Sequence, residues 1–378
     1  MIHLSLPKVE TTELTQYSKI NTKIIYKVKK LLLSLIFISI AVSMSAQDNK
    51  DAKNYKVASI GFYNLENFYD TVDDTTKNDN DFLPNGLRLY NDSTFRDKCH
   101  HLAEAISKCA VETSPDGLSL FGVAEIENRY VLEELAKEPA IASRNYKVVH
   151  YDSPDRRGVD VGLMYNPKYF TPIYSRPIDV SRIYNGDANR ATRDILYVMG
   201  TLDGDTIHVM VNHWPSRVGG EAASAPLREG VAQICKTLAD SIMHNNAKAK
   251  IFIMGDLNDD PSNESCSKYI GAKKKKEEVF PGGFYNPMWK YYENGIGTMA
   301  YQDAWSLFDQ IMISYGTLDK SSKGYHYFKT RIFNESFLTS KIGRYKGYPH
   351  RTYTGDTYDA GYSDHFPVYM FLVKEVGK

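Results

Sequence analysis

Six short polar clusters, each beside an apolar run, carry the chemistry this sequence offers. Ile251–Met254 runs into Gly255, Asp256, Leu257 and Asn258. A carboxylate that holds or deprotonates water, two residues from an amide that donates to a phosphate oxygen, is a useful pair. Continued extended geometry would put Asp256 and Asn258 on one face. Gly255 would let the backbone turn sharply. Ser363-Asp364-His365 stands just before a second apolar run, Phe366–Val373. There, His365 suits a general acid or a phosphate partner near neutral pH.

The other four clusters repeat the theme. Glu125 ends a run that starts near Leu118, and it is a hard ligand suited to Mg²⁺ or Mn²⁺. Glu127 shares its strand face, so spacing leaves the choice between them open. Asn64 and Glu66 alternate at the end of the run from Val57. Asn212 and His213 close another run, with Arg217 four residues beyond. His213 can touch a phosphate oxygen, and Arg217 can clamp one with two parallel bonds. Asp309 precedes a further strand and can orient His365 through its ring N–H. Any one cluster reads equally well as an Asx-rich turn or an acidic helix start. Strand after strand ending in Asn, Glu, Asp or His is not what random turn chemistry produces.

Short apolar or alternating runs must position these groups. They predict strands at 57–63, 118–124, 146–150, 159–165, 195–202, 206–211, 251–254, 310–314 and 366–373. Helical patterns cover 94–111, 129–137 and 226–244, with Pro226 suiting a first turn. Many strands with a few helices between them imply two packed sheets with helices outside. The stretch 271–298, with Lys273–Lys276 and Pro281-Gly282-Gly283, reads as an inserted surface loop.

Composition bounds the rest. Hydrophobic residues make up 42% of the 378, enough for a large core and too many for a disordered chain. Lys27, Lys29 and Lys30 precede apolar Leu31–Val42 and small Ser43–Ala46, in the order of a cleavable export signal. That run is shorter than the ~20 residues a bilayer span needs. We expect cleavage near Ala46, a secreted or periplasmic product, and one domain over residues 47–378. The leader holds six Lys and two Glu of a chain with 46 basic and 46 acidic residues. Its loss leaves a slightly acidic protein, so phosphate contacts must be local. Arg193, with Arg190 and the turn Arg156–Asp160, is a candidate for them. Cys99, Cys109, Cys235 and Cys266 show no metal-ligand spacing, and buried free thiols are expected.

The order Asn64, Glu125, His213, Asp256-Leu257-Asn258, Asp309, Ser363-Asp364-His365 resembles the endonuclease/exonuclease/phosphatase superfamily over about Val57 to Val373. The resemblance implies an α/β fold, a four-layer α/β sandwich of two packed mixed β-sheets flanked by helices. It implies a divalent metal, Mg²⁺ or else Mn²⁺ or Ca²⁺, held chiefly by Glu125 with Asn64 and Asp364. Glu66 would assist through water. Asp256 would position or deprotonate the attacking water, and Asn258 would support the phosphate. His365, held by Asp309, would stabilise the transition state, with His213 as a second histidine. Asn64, Asn212, Arg193 and Arg217 are the expected phosphate contacts. A secreted nuclease acting on DNA or RNA heads the expected functions; a phosphodiesterase or phosphatase for lipid headgroups, inositol phosphates or nucleotides stands second, and a non-catalytic binding protein third. A monomer with no obligate protein partner is expected.

Overall fold

The computed structural model describes residues 54–376 apart from 186, 188 and 189. The expected leader and its cleavage point therefore lie outside the described residues. The chain forms β1 (Asn54–Phe68), α1 (Asp92–Lys108), β2 (Leu120–Ile126), α2 (Arg129–Ala136), β3 (Lys147–His150) and β4 (Asp160–Tyr165). Then come β5 (Phe170–Ile178), β6 (Ile195–Leu202), β7 (Asp205–His213), α3 (Glu221–Asn245) and β8 (Lys250–Asp256). Short β9 (Ala272–Lys273) and β10 (Phe284–Tyr285) precede a hairpin, β11 (Met299–Tyr301) and β12 (Ala304–Ser306), and then β13 (Asp309–Ser314). The last elements are β14 (His326–Ile332), the hairpin β15 (Tyr353–Thr354) and β16 (Thr357–Tyr358), and β17 (Val368–Val376).

Two mixed sheets result. One has six strands in the order β14-β17-β1-β2-β4-β3, and the other seven in the order β5-β6-β7-β8-β13-β10-β9. Side-chain alternation sets the layers. Val209, Val211, Phe252, Met254, Ile311 and Ile313 enter the core shared with the six-stranded sheet. Their neighbours Met210, Ile251, Ile253 and Met312 face the other way and pack with Val231, Cys235 and Ala239 of α3. On the far side, Phe95, Cys99, Leu102 and Ile106 of α1 and Val131, Leu132 and Leu135 of α2 join the first core. The layers are therefore helix, sheet, sheet, helix, the expected four-layer sandwich. The sheets approach closely at Gly122, where an added Cβ would lie 2.8 Å from Val211 Cγ1 and 3.0 Å from Met254 Sδ. All four cysteines are buried and free.

Several elements depart from the sequence reading. Stretch 271–298 is no surface loop: β9 and β10 extend the seven-stranded sheet, and Phe284, Asn286 and Met288 are buried. Two-residue strands are too short to leave a period in the sequence. Strand β5 went unread because Pro172 and Pro177 interrupt it, and as an edge strand it tolerates both. Helix α3 starts at Glu221, so Pro226 lies inside it and not in its first turn.

Candidate active site

Three site residues of the seven-stranded sheet lie on a single rung. In register, His213 of β7 pairs with Asp256 of β8, and Asp256 pairs with Asp309 of β13. All three are buried. Gly255, one residue earlier, is required by close approach: a Cβ there would sit 2.2 Å from the Asn212 carbonyl oxygen. It does not turn the chain, since β8 runs on through Asp256. Beyond it Asn258 adopts φ 49°. Its N–H donates to Asp256 Oδ1 at 3.0 Å, and its amide nitrogen donates to the Trp214 carbonyl at 3.0 Å. The expected extended pair is thus an Asx-type turn that fixes the carboxylate. His365 comes in from the other sheet's last connection. Its Nδ1 lies 2.6 Å from Asp309 Oδ2 and its Nε2 3.8 Å from Asp256 Oδ2. Ser363 Oγ accepts the His365 N–H at 3.1 Å and donates to the Asn64 carbonyl at 2.7 Å, tying this loop to β1.

The six-stranded sheet reaches the site through irregular backbone. Pairing of β1 with β2 shifts between Asn64 and Phe68, and pairing of β2 with β4 shifts between Ala124 and Ile126. Glu66, Asn67 and Glu125 have φ of 49°, 48° and 58°, a region that costs non-glycine residues of order 1 kcal/mol and gathers at functional sites. The bulge at Glu125 separates the two acids that spacing could not. Glu125 Oε1 comes 3.7 Å from His213 Nε2, while Oε2 accepts the Asn67 N–H at 3.0 Å. Glu127 instead accepts the Asp70 N–H at 2.7 Å, away from the histidines. Asn64 Nδ2 donates to Asp256 Oδ2 at 3.1 Å, bridging the two sheets. Glu66 Oε2 accepts the Thr352 N–H at 2.7 Å, and Arg351 donates to Asp364 Oδ2 at 2.7 Å.

The two histidines are driven in opposite directions. Burial favours neutral His365, but Asp309, Asp256 and Asp364 together hold it well above its ordinary value, as a cation. His213 is held well below by burial, with Arg193, Arg157 and His365 adding to the effect, so it is neutral. Burial pushes Asp256 up to about 6, against His365, with Asp309 and Glu125 adding to the rise. Glu66 is pushed up to about 7 by burial and then by Asp364, against Lys98.

This convergence of carboxylates tests whether a cation fits. Glu66, Glu125, Asp256 and Asp364 raise one another or share partners, and the Asn64 amide stands among them. All the offered donors of this set are oxygens, which suits Mg²⁺, Mn²⁺ or Ca²⁺. A bound dication would relieve the repulsion that lifts Glu66 and Asp256. The residues present fit the group.

Three expected phosphate contacts are engaged elsewhere. Asn212 is wholly buried; its amide donates to the Met210 and Met254 carbonyls and accepts from Trp214 Nε1. Arg217 donates to the Asn258 carbonyl at 2.9 Å and pairs with Glu221, Asp259 and Asp260, bracing the loop after Asp256. Arg193 is buried behind the site, with Nη1 on Asp155 at 3.1 Å and Nη2 on the Trp214 carbonyl at 2.8 Å. Arg157 is half exposed, and Glu125 and Asp256 act on its charge. Lys98 and Arg351 were missed. Lys98 is buried among Phe95, Cys99 and Leu102 on the apolar face of α1, and a lysine in that stripe was the available signal. Arg351 lies in a loop with no periodicity to mark it.

No curated protein matches the sequence at a significant level. Among solved structures, the chain is similar to an endonuclease/exonuclease/phosphatase family protein from Bacteroides thetaiotaomicron, at 14% identity and TM-score 0.51 over 86% of this chain and 97% of that one. It is also similar to D. rerio TDP2 complexed with single-strand DNA product, at 14% identity and TM-score 0.50 over 84% of this chain and 99% of that one. At such identities the likeness establishes the fold alone. Residues 59–374, nearly all of the described chain, match the profile of the Endonuclease/Exonuclease/phosphatase family, and the protein belongs to that family.

Proposed function

We propose that this protein is a divalent-cation-dependent phosphodiester hydrolase acting on DNA or RNA. One observation carries the reading: a buried carboxylate held near neutral pKa, Asp256, faces a buried imidazolium, His365, across 3.8 Å. Asp256 is the base that accepts a proton from the attacking water at Oδ2, and a base poised near the working pH is the efficient one. The Asn64 amide and the Asn258 N–H fix its two oxygens. His365, held by Asp309, places positive charge where the phosphorane oxygens gain negative charge. His213 is neutral and contributes a hydrogen bond, not a charge. Glu125, Glu66, Asp364 and Asn64 would hold the cation, which supplies further charge neutralisation at a phosphate oxygen. Arg157, half exposed and within reach of the charges of Glu125 and Asp256, is a candidate contact for the flanking phosphate.

The nucleic-acid part of the reading rests on the His213 and Asp256 arrangement and accords with the DNA product held by the TDP2 neighbour. Export is proposed with it, from the leader's pattern; the N-terminal sequence of the protein recovered outside the cytoplasm tests that, with Gln47 the expected first residue. For the activity, purified protein is incubated with plasmid DNA, RNA and bis-p-nitrophenyl phosphate in Mg²⁺, Mn²⁺, Ca²⁺ or EDTA. Turnover that survives EDTA defeats the cation requirement. Turnover of the small diester without either nucleic acid defeats the substrate assignment.

A further inference from the structure

A cavity of about 260 Å³ opens beside Asp364. Tyr301, Tyr345 and Tyr348 wall it, Arg344 and Arg351 border it, and Asp364 forms its inner edge. Arg351 joins the cavity to the site through its bond to Asp364. The aromatic surface continues into the catalytic loop. Phe366, next to His365, stacks on Trp305 at 6.1 Å between centroids and 13° between planes. Trp305 lies 5.8 Å from Tyr348, which lies 5.8 Å from Tyr345. Tyr301 and Tyr345 are 68% and 43% exposed, so their rings are available to a ligand.

Resting on the hydrolase reading, we propose that this cavity binds one nucleoside of the substrate, the unit attached to the scissile phosphate on its non-leaving side. Every nucleobase offers a π-face to tyrosine, and arginine planes stack on bases as tyrosines do. The volume suits one ring system with its sugar and falls below the usual range for drug-sized ligands. Arg344 and Arg351 among its lining residues can meet the nucleotide's phosphate. A duplex would need an open basic groove; this cavity takes a single unpaired unit, at a strand end or a frayed position.

The test uses two diesters with the same leaving group, thymidine 5′-p-nitrophenyl phosphate and methyl p-nitrophenyl phosphate. The expected result is a preference for the thymidine ester of on the order of tenfold or more in kcat/KM, carried mainly by KM. Tyr345→Ala and Tyr301→Ala should erase that preference and leave the methyl ester unchanged. Equal wild-type rates on both esters, or variants that lose both alike, overturn the proposal. Calorimetric titration with thymidine monophosphate and with glucose 6-phosphate reads binding without turnover. Tighter binding of the sugar phosphate, or thymidine monophosphate affinity unaffected by Tyr345→Ala, also overturns it. If neither ester turns over but thymidine monophosphate binds and Tyr345→Ala weakens it, the hydrolase reading fails while the nucleoside site stands.

Discussion

The two sheets supply the site in contrasting ways. The seven-stranded sheet presents His213, Asp256 and Asp309 on one straight rung of paired backbone. The six-stranded sheet presents Asn64, Glu66 and Glu125 from two bulges with left-handed residues. Regular pairing fixes the spacing of the groups proposed to exchange protons, where sub-ångström placement sets the rate. Bulges re-aim side chains that a pleat would send to the wrong face, which suits oxygen donors proposed to converge on a cation. The proton half is rigid by backbone hydrogen bonding. The half proposed to hold the cation stores strain and would release part of its charge repulsion on loading.

Breaking the rung at its centre should have the largest effect. Asp256→Asn is expected to lower kcat by roughly 10²–10⁴-fold, the range for loss of a general base, with folding intact by thermal melt. A variant within tenfold of wild type would remove Asp256 from the base role. Breaking the bulged half comes next. Glu125→Gln keeps an oxygen for the Asn67 N–H but loses the charge. It should cost on the order of 10–100-fold in metal affinity or activity, partly recovered at high Mn²⁺. A loss that no cation concentration recovers would make Glu125 a purely structural residue of the bulge.

The pH profile sharpens the contrast within the rung. Activity should rise with pH as Asp256 deprotonates, at or below the value of about 6 it has without a cation, since a bound dication lowers it, and fall at higher pH as His365 loses its proton. Asp309→Asn removes a charge that holds His365 up, so the upper limb moves to lower pH. Because the folded value of His365 is raised, its stabilisation is complete below the unfolded value of about 6.5 and is lost as pH rises through the folded value. The Tm deficit of Asp309→Asn should therefore be greatest in acid and shrink toward alkaline pH. A deficit flat with pH would show that the pair is not ionic. His213→Asn should cost roughly tenfold in kcat while both limbs stay in place, since His213 carries no charge to lose. A shifted limb would mean that His213 titrates in the working range. The smallest effect on turnover is expected from Gly122→Ala, which crowds Val211 and Met254 between the sheets and touches none of the site's polar groups. Overpacking there should cost about 1–3 kcal/mol of stability by denaturant titration, with a smaller loss of kcat in the folded protein than any of the site variants.

How much of this was legible differs by element. Long periodic segments such as β6, β7, α1 and α2 announced themselves through alternation or a 3.6-residue stripe, because each buries one face. Strands β9 and β10 could not, being two residues each, and β5 was hidden by its prolines. The site was legible as a set of strand-ending residue types: Asn64, Glu125, His213, Asp256, Asp309 and His365 stand at run ends in the sequence alone. Sequence could not choose Glu125 over Glu127, because a one-residue bulge reverses the face and leaves no mark in composition. It could not show that Arg217 is held by Asp259 and Asp260 and Asn212 by the Met254 carbonyl, or that Lys98 and Arg351 stand beside Glu66 and Asp364. Nor could it set the protonation of two histidines of identical chemistry. The sequence by itself determined which groups were on hand and that the strands would end in them, since side-chain type and apolar period are local properties. Tertiary structure alone decided which groups meet, which are charged and which are occupied elsewhere, because burial, register and ion pairing are made between segments as distant as Asn64 and Asp256.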